Sequence, residues 1–386
     1  MNLQELKAAF IEAYGQDSES VYFAPGRVNL IGEHIDYNGG SVFPCALSFG
    51  SYLLMRPNRG KFVNFRSLNQ PEVLKLGLNE LTAPLEKSWV NYPLGVFAQF
   101  IKRGIEIKQG YDILIWGNVP NGAGLSSSAA LEVVTAFALN DQLGTAFDRT
   151  VLAQISQKAE HEFAFVNCGI MDQFASANGA KDSAIHLNCD TLNFELVPVK
   201  LEGVKILISN THSPHKLDSG AYNQRVAECK LAVEQINKVR PIKFLAELTV
   251  EQFKDVESAI TDVTALKRAR HVVGEVQRTS DAVKALKAGD LIKFGQLMNA
   301  SHVSLRDDYE VTGLHLDTMT EEAWKIAGVI GSRMTGGGFG GCTVSLVKDE
   351  AIGNFIEKVG TIYEQKTGLK PQFYIAEIGD GVCKLQ

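Results

Sequence analysis

The chain has 386 residues, 45% hydrophobic and 21% charged, an ordinary balance for a soluble globular enzyme. That length sets a prior of about two domains. The net charge of −6 argues against nucleic acid as the main partner, because phosphate backbones demand basic patches, and no Lys/Arg run is long enough for a membrane-surface tail.

Residues 1–10 read as an amphipathic helix. They lack the basic start and apolar core of a signal peptide, and no window approaches the length of a transmembrane helix. The expected setting is cytoplasmic, with no membrane partner. The six cysteines, Cys45, Cys168, Cys189, Cys229, Cys342 and Cys383, are scattered, with no Cys-x-x-Cys pair and no His at zinc spacing. Free thiols in a reducing compartment are expected.

Residues 25–40 carry the densest chemistry. Within ten positions they place one cation, two carboxylates and one imidazole: Arg27, Glu33, His34 and Asp36. Gly26, Gly32, Gly39 and Gly40 flank them. Such donors and acceptors suit a small polyhydroxylated ligand, since each hydroxyl both donates and accepts. For an isolated window a solvated polar turn is the simpler reading. The segments that follow displace it.

Strand-like and helix-like runs alternate along the chain without internal repeats, which predicts a mixed α/β (α+β) architecture. Tyr111-Asp-Ile-Leu-Ile-Trp116 reads as a buried strand. It leads into Gly117-Asn-Val-Pro-Asn-Gly122-Ala-Gly124-Leu-Ser126-Ser127-Ser128, and then into a helix of good formers over residues 129–139. A helix N-terminus after a glycine turn is an anion site by construction. The Walker A pattern fails because no Lys follows the second glycine. A serine-capped helix is the plain alternative, but three consecutive serines after Gly-x-Gly-Leu are more specific than a cap requires. The hydroxyl of Ser128 is placed to meet a metal ion bridging phosphates.

Glu160 sits in a helix-like run, and Asp172 follows a glycine among Ile170, Met171 and Phe174. A carboxylate in apolar company is costly unless paired. A helix-capping aspartate is the alternative, and this segment alone does not choose. Residues 204–208 read as a strand, and Val226, Cys229, Val233 and Ile236 recur at helical spacing. Residues 262–301 read as helices broken at Gly289-Asp290. Gly336-Gly-Gly338-Phe-Gly-Gly341 satisfies the dinucleotide fingerprint literally but runs into the strand pattern Cys342-Thr-Val-Ser-Leu-Val347, the wrong order for NAD. A second backbone cradle, closing on the phosphates or packing against the first, fits better. The domain division is placed near residue 185, giving 1–185 with the charged cluster of residues 25–40 and the serine loop and 186–386 with the Gly336–Gly341 run.

Residues 25–40, 117–132 and 334–342 resemble the three motifs of the GHMP small-molecule kinases, in order. Within that superfamily the chain resembles the galactokinases. Gly26-Arg-Val-Asn-Leu-Ile-Gly-Glu-His-Ile-Asp-Tyr-Asn38 is a signature that mevalonate and homoserine kinases lack, and residues 169–173 and 301–310 are also galactokinase-like. The similarity runs from about residue 20 to the C-terminus. It implies a two-domain fold with the active site in the inter-domain cleft. It implies ATP-dependent phosphorylation of galactose at the anomeric hydroxyl, the first committed step of galactose breakdown. Galactose and ATP are the implied partners, with no obligate protein partner evident.

By the same resemblance, Glu33, His34, Ile35, Asp36, Gly169, Asp172 and Tyr222 form the sugar site. Asp172 takes the anomeric proton, and Arg27 stabilises transition-state charge. Gly122, Ala123, Gly124, Leu125, Ser126, Ser127 and Ser128 wrap the ATP phosphates, with Ser67 near the base or ribose. Ser128 and Glu160 hold Mg²⁺. Three positions depart from the family pattern: Phe165 for a usual glycine, Ile35 for a usual threonine and Gly337 for a common alanine. The other readings are a galactose- and ATP-binding regulator without turnover, which the complete serine loop disfavours, and an N-acetylgalactosamine kinase.

Overall fold

Asn2 starts the first helix by accepting from the Glu5 amide, while the Glu5 carboxylate accepts from the Asn2 amide. The fold that follows is a computed structural model, which describes residues 1–120, 124–213 and 219–386. The helices are α1 (Leu3–Tyr14), α2 (Asn91–Lys102), α3 (Ser127–Leu143), α4 (Arg149–Ala159), α5 (Met171–Asn178), α6 (Ser219–Ile236), α7 (Val250–Val256), α8 (Val263–Lys287), α9 (Leu291–Asp307), α10 (Gly313–Trp324) and α11 (Ile352–Thr367). The strands are β1 (Ser20–Asn29), β2 (Ser41–Val42), β3 (Pro44–Asn58), β4 (Phe62–Ser67), β5 (Leu74–Gly77), β6 (Gly110–Gly117), β7 (Ser183–Asn188), β8 (Phe194–Pro198), β9 (Val204–Asn210), β10 (Val329–Thr335), β11 (Cys342–Lys348), β12 (Gln372–Ala376) and β13 (Cys383–Lys384).

Six strands form the first sheet in the order β13-β1-β3-β6-β4-β5, with only β4 and β6 parallel. On one face, α1 lays Leu6 and Phe10 against Val21, Leu54 and Leu114. On the other, α3 packs on β1 and β3, and α2, α4 and α5 build outward from it. The second sheet runs β10-β11-β9-β12 and is covered by α9, α10 and α11. A third, β2-β7-β8, lies close to β3 and α5.

The strands read from residues 111–116, 204–208 and 342–347 are β6, β9 and β11, each an interior strand of its sheet. Burial on both faces explains why they read as continuous apolar runs. Helix α6 buries Val226, Cys229 and Ile236, as the spacing requires. The break at Gly289-Asp290 is also present: Gly289 adopts φ 74°, and Asp290 caps α9 by accepting from the Lys293 amide at 2.9 Å.

The helix-like run at Glu160 has a feature that its sequence does not announce. Helix α4 passes into a single π-helical turn, Glu160–Ala164, which ends at Phe165. Such turns are rare and cluster at functional sites. Phe165 takes φ 58° with its ring 63% exposed, so a left-handed backbone is imposed on a side chain that gains little from burial. This accounts for the glycine usual at that position. Phe165→Gly should stabilise the protein by about 1 kcal/mol, seen as a raised melting temperature. An unchanged or lowered one would show that the ring's remaining contacts outweigh the strain.

Candidate active site

Strand β1 shifts register against β3 between Pro25 and Arg27. A bulge of this kind re-aims a side chain. Gly26 lies against the serine loop so closely that a Cβ there would stand 2.7 Å from the Leu125 carbonyl, and the Arg27 amide donates to that same carbonyl at 3.1 Å. The Arg27 side chain, 4% exposed, donates through Nε and Nη2 to the two oxygens of Asp172 at 2.8 and 2.7 Å. Its Nη1 donates to the Gly124 carbonyl at 2.7 Å. Burial works against this charge, but Asp172, Glu33 and Asp36 more than offset it and hold the guanidinium protonated.

The serine loop does not end in a simple cap. Ser126 takes φ 61°, its side chain makes no capping bond to α3, and its hydroxyl donates to Asp172 Oδ2 at 2.5 Å. Leu125 is buried in the core, and Ser127 begins α3. Gly122 and Ala123 lie outside the described residues. Ser67 ends β4 beside Ile115 of β6, at the end of the sheet from which the loop departs. The third glycine segment packs against the second: a Cβ on Gly336 would meet the Gly124 carbonyl at 2.8 Å. At Gly337 a Cβ would make ordinary contact with the Tyr222 ring at 3.6 Å, so the family's alanine fits there.

The loop that follows β1 turns some of its groups inward. Glu33 is 1% exposed; it accepts from the Gly336 amide at 2.7 Å and from Asn29 Nδ2, and lies 3.4 Å from Arg333 Nη1. Ile35 is wholly buried in the core, and its carbonyl accepts from the amides of Asn38 and Gly40. Asp36 and Gly169 together line a cavity of about 400 Å³. They touch so closely that any Cβ at residue 169 would fall 1.9 Å from Asp36 Oδ2, which explains the glycine. His34, Tyr37, Tyr222 and Tyr309 form an aromatic cluster with ring centroids 4.8–6.0 Å apart in the His34 pairs. Burial, then Asp36, pushes the Tyr222 hydroxyl well above its ordinary range.

Ser128 donates to Glu160 Oε1 at 3.0 Å. The other oxygen of Glu160 accepts from Gln173 Nε2, which also reaches Glu132 Oε2 at 3.2 Å. Glu132 and Gln173 carry no role in the sequence reading. The available signal was the spacing, because Glu132 lies four residues after Ser128 on α3 and so shares its face. Glu160 is pushed up to about 7, first by burial and next by the charge of Asp172. Glu132 is raised well above its ordinary value by burial and by Glu160. Glu132 Oε1 is buried without a hydrogen-bond partner among the described residues.

Among the described residues, no group of three or more His, Cys, Asp or Glu side chains is arranged to hold a metal ion. A single carboxylate beside a hydroxyl still fits Mg²⁺, which keeps several waters and takes one or two carboxylates together with substrate phosphates.

Asp36 is pushed up from 3.8 to about 7, by burial first and by Asp172 next. Between those values the folded protein holds a proton that the unfolded chain releases, so Asp36 opposes folding increasingly as pH rises, and levels off above about 7. Asp36→Asn removes that dependence. Melting curves of the ligand-free protein should show the variant's gain over wild type growing from pH 4 to about 7 and flat beyond. A gain that is largest at low pH would contradict this.

Three family models match in chain order: the galactokinase galactose-binding signature at residues 8–57, the GHMP kinase N-terminal domain at 91–180 and the GHMP kinase C-terminal domain at 282–365. A galactokinase of Clostridium beijerinckii is 49% identical over 386 residues, spanning 100% of this chain and 99% of its own. One from Fusobacterium nucleatum is 48% identical over 388 residues, spanning 100% of both. The crystal structure of Lactococcus lactis galactokinase complexed with galactose matches at TM-score 0.97 and 44% identity, over 99% of this chain and 100% of that one. Methanococcus jannaschii mevalonate kinase, 18% identical over 93% of this chain and 98% of its own, shares the fold at TM-score 0.66. Matched along its whole length by galactokinases, the chain belongs to the galactokinase family.

Proposed function

We propose that the chain transfers the γ-phosphoryl group of ATP to the anomeric hydroxyl of galactose, giving galactose 1-phosphate and ADP. The observation that carries this reading is Arg27, whose one side chain holds both an acid, Asp172, and the backbone of the phosphate loop at Gly124. A division near residue 185 puts Arg27, Asp36, Gly169 and Asp172 in one unit and Tyr222 and Gly337 in the other. The sugar then lies in the cleft between them. Unbridged cysteines suit a cytoplasmic setting, and no described helix is long and apolar enough to cross a membrane.

Phosphoryl transfer asks little covalent work of a protein; positioning and charge stabilisation dominate. Asp36, Tyr222 and the Gly169 backbone hold sugar hydroxyls, and His34, its ring engaged at Gly337 and Tyr37, sets the position of the loop beside them. Glu33 has its carboxylate engaged at Gly336 and contributes by fixing the loop, and Ile35 does so through its backbone. Asp172, with its side chain 27% exposed, keeps lone pairs free beyond those facing Arg27 and Ser126, and takes the proton of the anomeric hydroxyl. Arg27 orients that carboxylate and stabilises charge on the transferring group. Residues 122–128 wrap the phosphates, Ser67 lies toward the base or ribose, and Ser128 and Glu160 hold Mg²⁺. Bound there, Mg²⁺ supplies charge neutralisation to the phosphate oxygens.

The test is ADP release against a sugar panel, with and without Mg²⁺. Turnover should require Mg²⁺, be high with galactose and be low with glucose and N-acetylgalactosamine, because a polar site rejects a misplaced hydroxyl whose absence leaves its own groups unpaired. No turnover with galactose, or equal rates with galactose and glucose, would sink the proposal.

A further inference from the structure

His34 sits in the left-handed region, φ 62°, and is 4% exposed, so its ring direction is set by what it touches. Nε2 lies 3.2 Å from the Gly337 carbonyl, and Nδ1 lies 2.9 Å from the Tyr37 hydroxyl. A carbonyl only accepts, so Nε2 carries the proton. In a neutral imidazole Nδ1 is then an acceptor, and Tyr37 must donate to it. The single Tyr37 proton is thereby committed. Across the 2.7 Å contact between the two hydroxyls, Tyr309 must donate to Tyr37. Tyr309 has no second proton, so the Cys229 thiol, 3.2 Å away, donates to Tyr309.

We propose that Tyr37 and Tyr309 are positioning residues for the sugar site: a one-way hydrogen-bond chain from Cys229 through Tyr309 and Tyr37 fixes His34 in its Nε2–H form against the third glycine segment. In that form both ring nitrogens are engaged within the protein, Nε2–H on Gly337 and Nδ1 on Tyr37, so His34 holds the loop that carries Asp36 in place against the third glycine segment. The chain is well anchored. Tyr309 is fully buried, its carbonyl accepts from Arg225 Nε at 2.9 Å, and its ring lies 4.5 Å from that of His271, tilted by 44°. His271 Nε2 in turn meets the Glu33 carbonyl at 3.1 Å. Burial first, and His271 next, lowers His34 to about 3, in keeping with a neutral ring. The spacing of residues 34 and 37 follows from the motif itself, but Tyr309 arrives from 272 positions further along and only the fold brings it in.

The kinetic part of the test rests on the galactokinase reading; the spectroscopic part does not. Two-bond ¹H–¹⁵N correlation spectra of histidine-labelled protein, with His34→Gln to assign the signal, report which ring nitrogen bears the proton. Wild type should show His34 neutral and protonated at Nε2, and Tyr37→Phe should move Nδ1 toward the value of a free acceptor. Tyr37→Phe should raise the galactose KM about tenfold, equivalent to about 1.4 kcal/mol, with kcat within about threefold. The Tyr309 hydroxyl reaches His34 only through Tyr37, and phenylalanine keeps the ring, so Tyr37→Phe/Tyr309→Phe should be no worse than Tyr37→Phe alone. A proton on Nδ1, an unchanged KM or multiplicative losses in the double variant would overturn the proposal. If a variant fails to fold, the wild-type spectrum still decides the proton's position. A wild type without kinase activity would remove the functional reading and leave that spectrum standing.

Discussion

The guanidinium of Arg27 is buried, and its donors reach two segments that lie far from it in sequence, α5 and the serine loop at Gly124. Much of the local structure exists to allow this. The β1 bulge aims the side chain, Gly26 lets the strand approach Leu125, and the left-handed backbone at Ser126 turns its hydroxyl onto Asp172. A buried ion pair is not in itself a source of stability. Breaking one by removing a single partner costs about 3–5 kcal/mol, because the remaining charge stays buried. The pair therefore specifies geometry more than it adds stability.

Several buried acids crowd around Arg27. Asp36, Glu160 and Glu132 are all held above their ordinary values, chiefly by burial, and Asp172 adds to each. Such a cluster is under electrostatic load in the free protein. A divalent cation at Glu160 and sugar hydroxyls at Asp36 would relieve it, each by restoring partners that burial removed.

The sequence was informative where composition and spacing determine structure. Interior strands β6, β9 and β11 read as apolar runs, and the α8–α9 break read from Gly289-Asp290. The three glycine-rich motifs read from residue type and order. What it did not show is direction. Glu33 and Asp36 are both loop carboxylates, yet Glu33 turns inward to Gly336 while Asp36 faces a cavity. Irregular backbone, with φ 62° at His34, has no period from which that difference follows. Glu132, Gln173 and Tyr309 went unassigned because a partner's importance depends on contacts made across many residues. The return of β13 to pair with β1 is of the same kind, since two residues carry no pattern of their own.

The central claim is that Arg27 and Asp172 act as one catalytic unit. The most direct measurement is single-turnover phosphoryl transfer with galactose and ATP both saturating, for Asp172→Asn, Arg27→Met and the double variant. Asp172→Asn should lose roughly 10²–10⁴-fold in rate, and the double variant should be scarcely slower than Asp172→Asn. A rate close to wild type for Asp172→Asn, or losses that multiply in the double variant, would contradict the account.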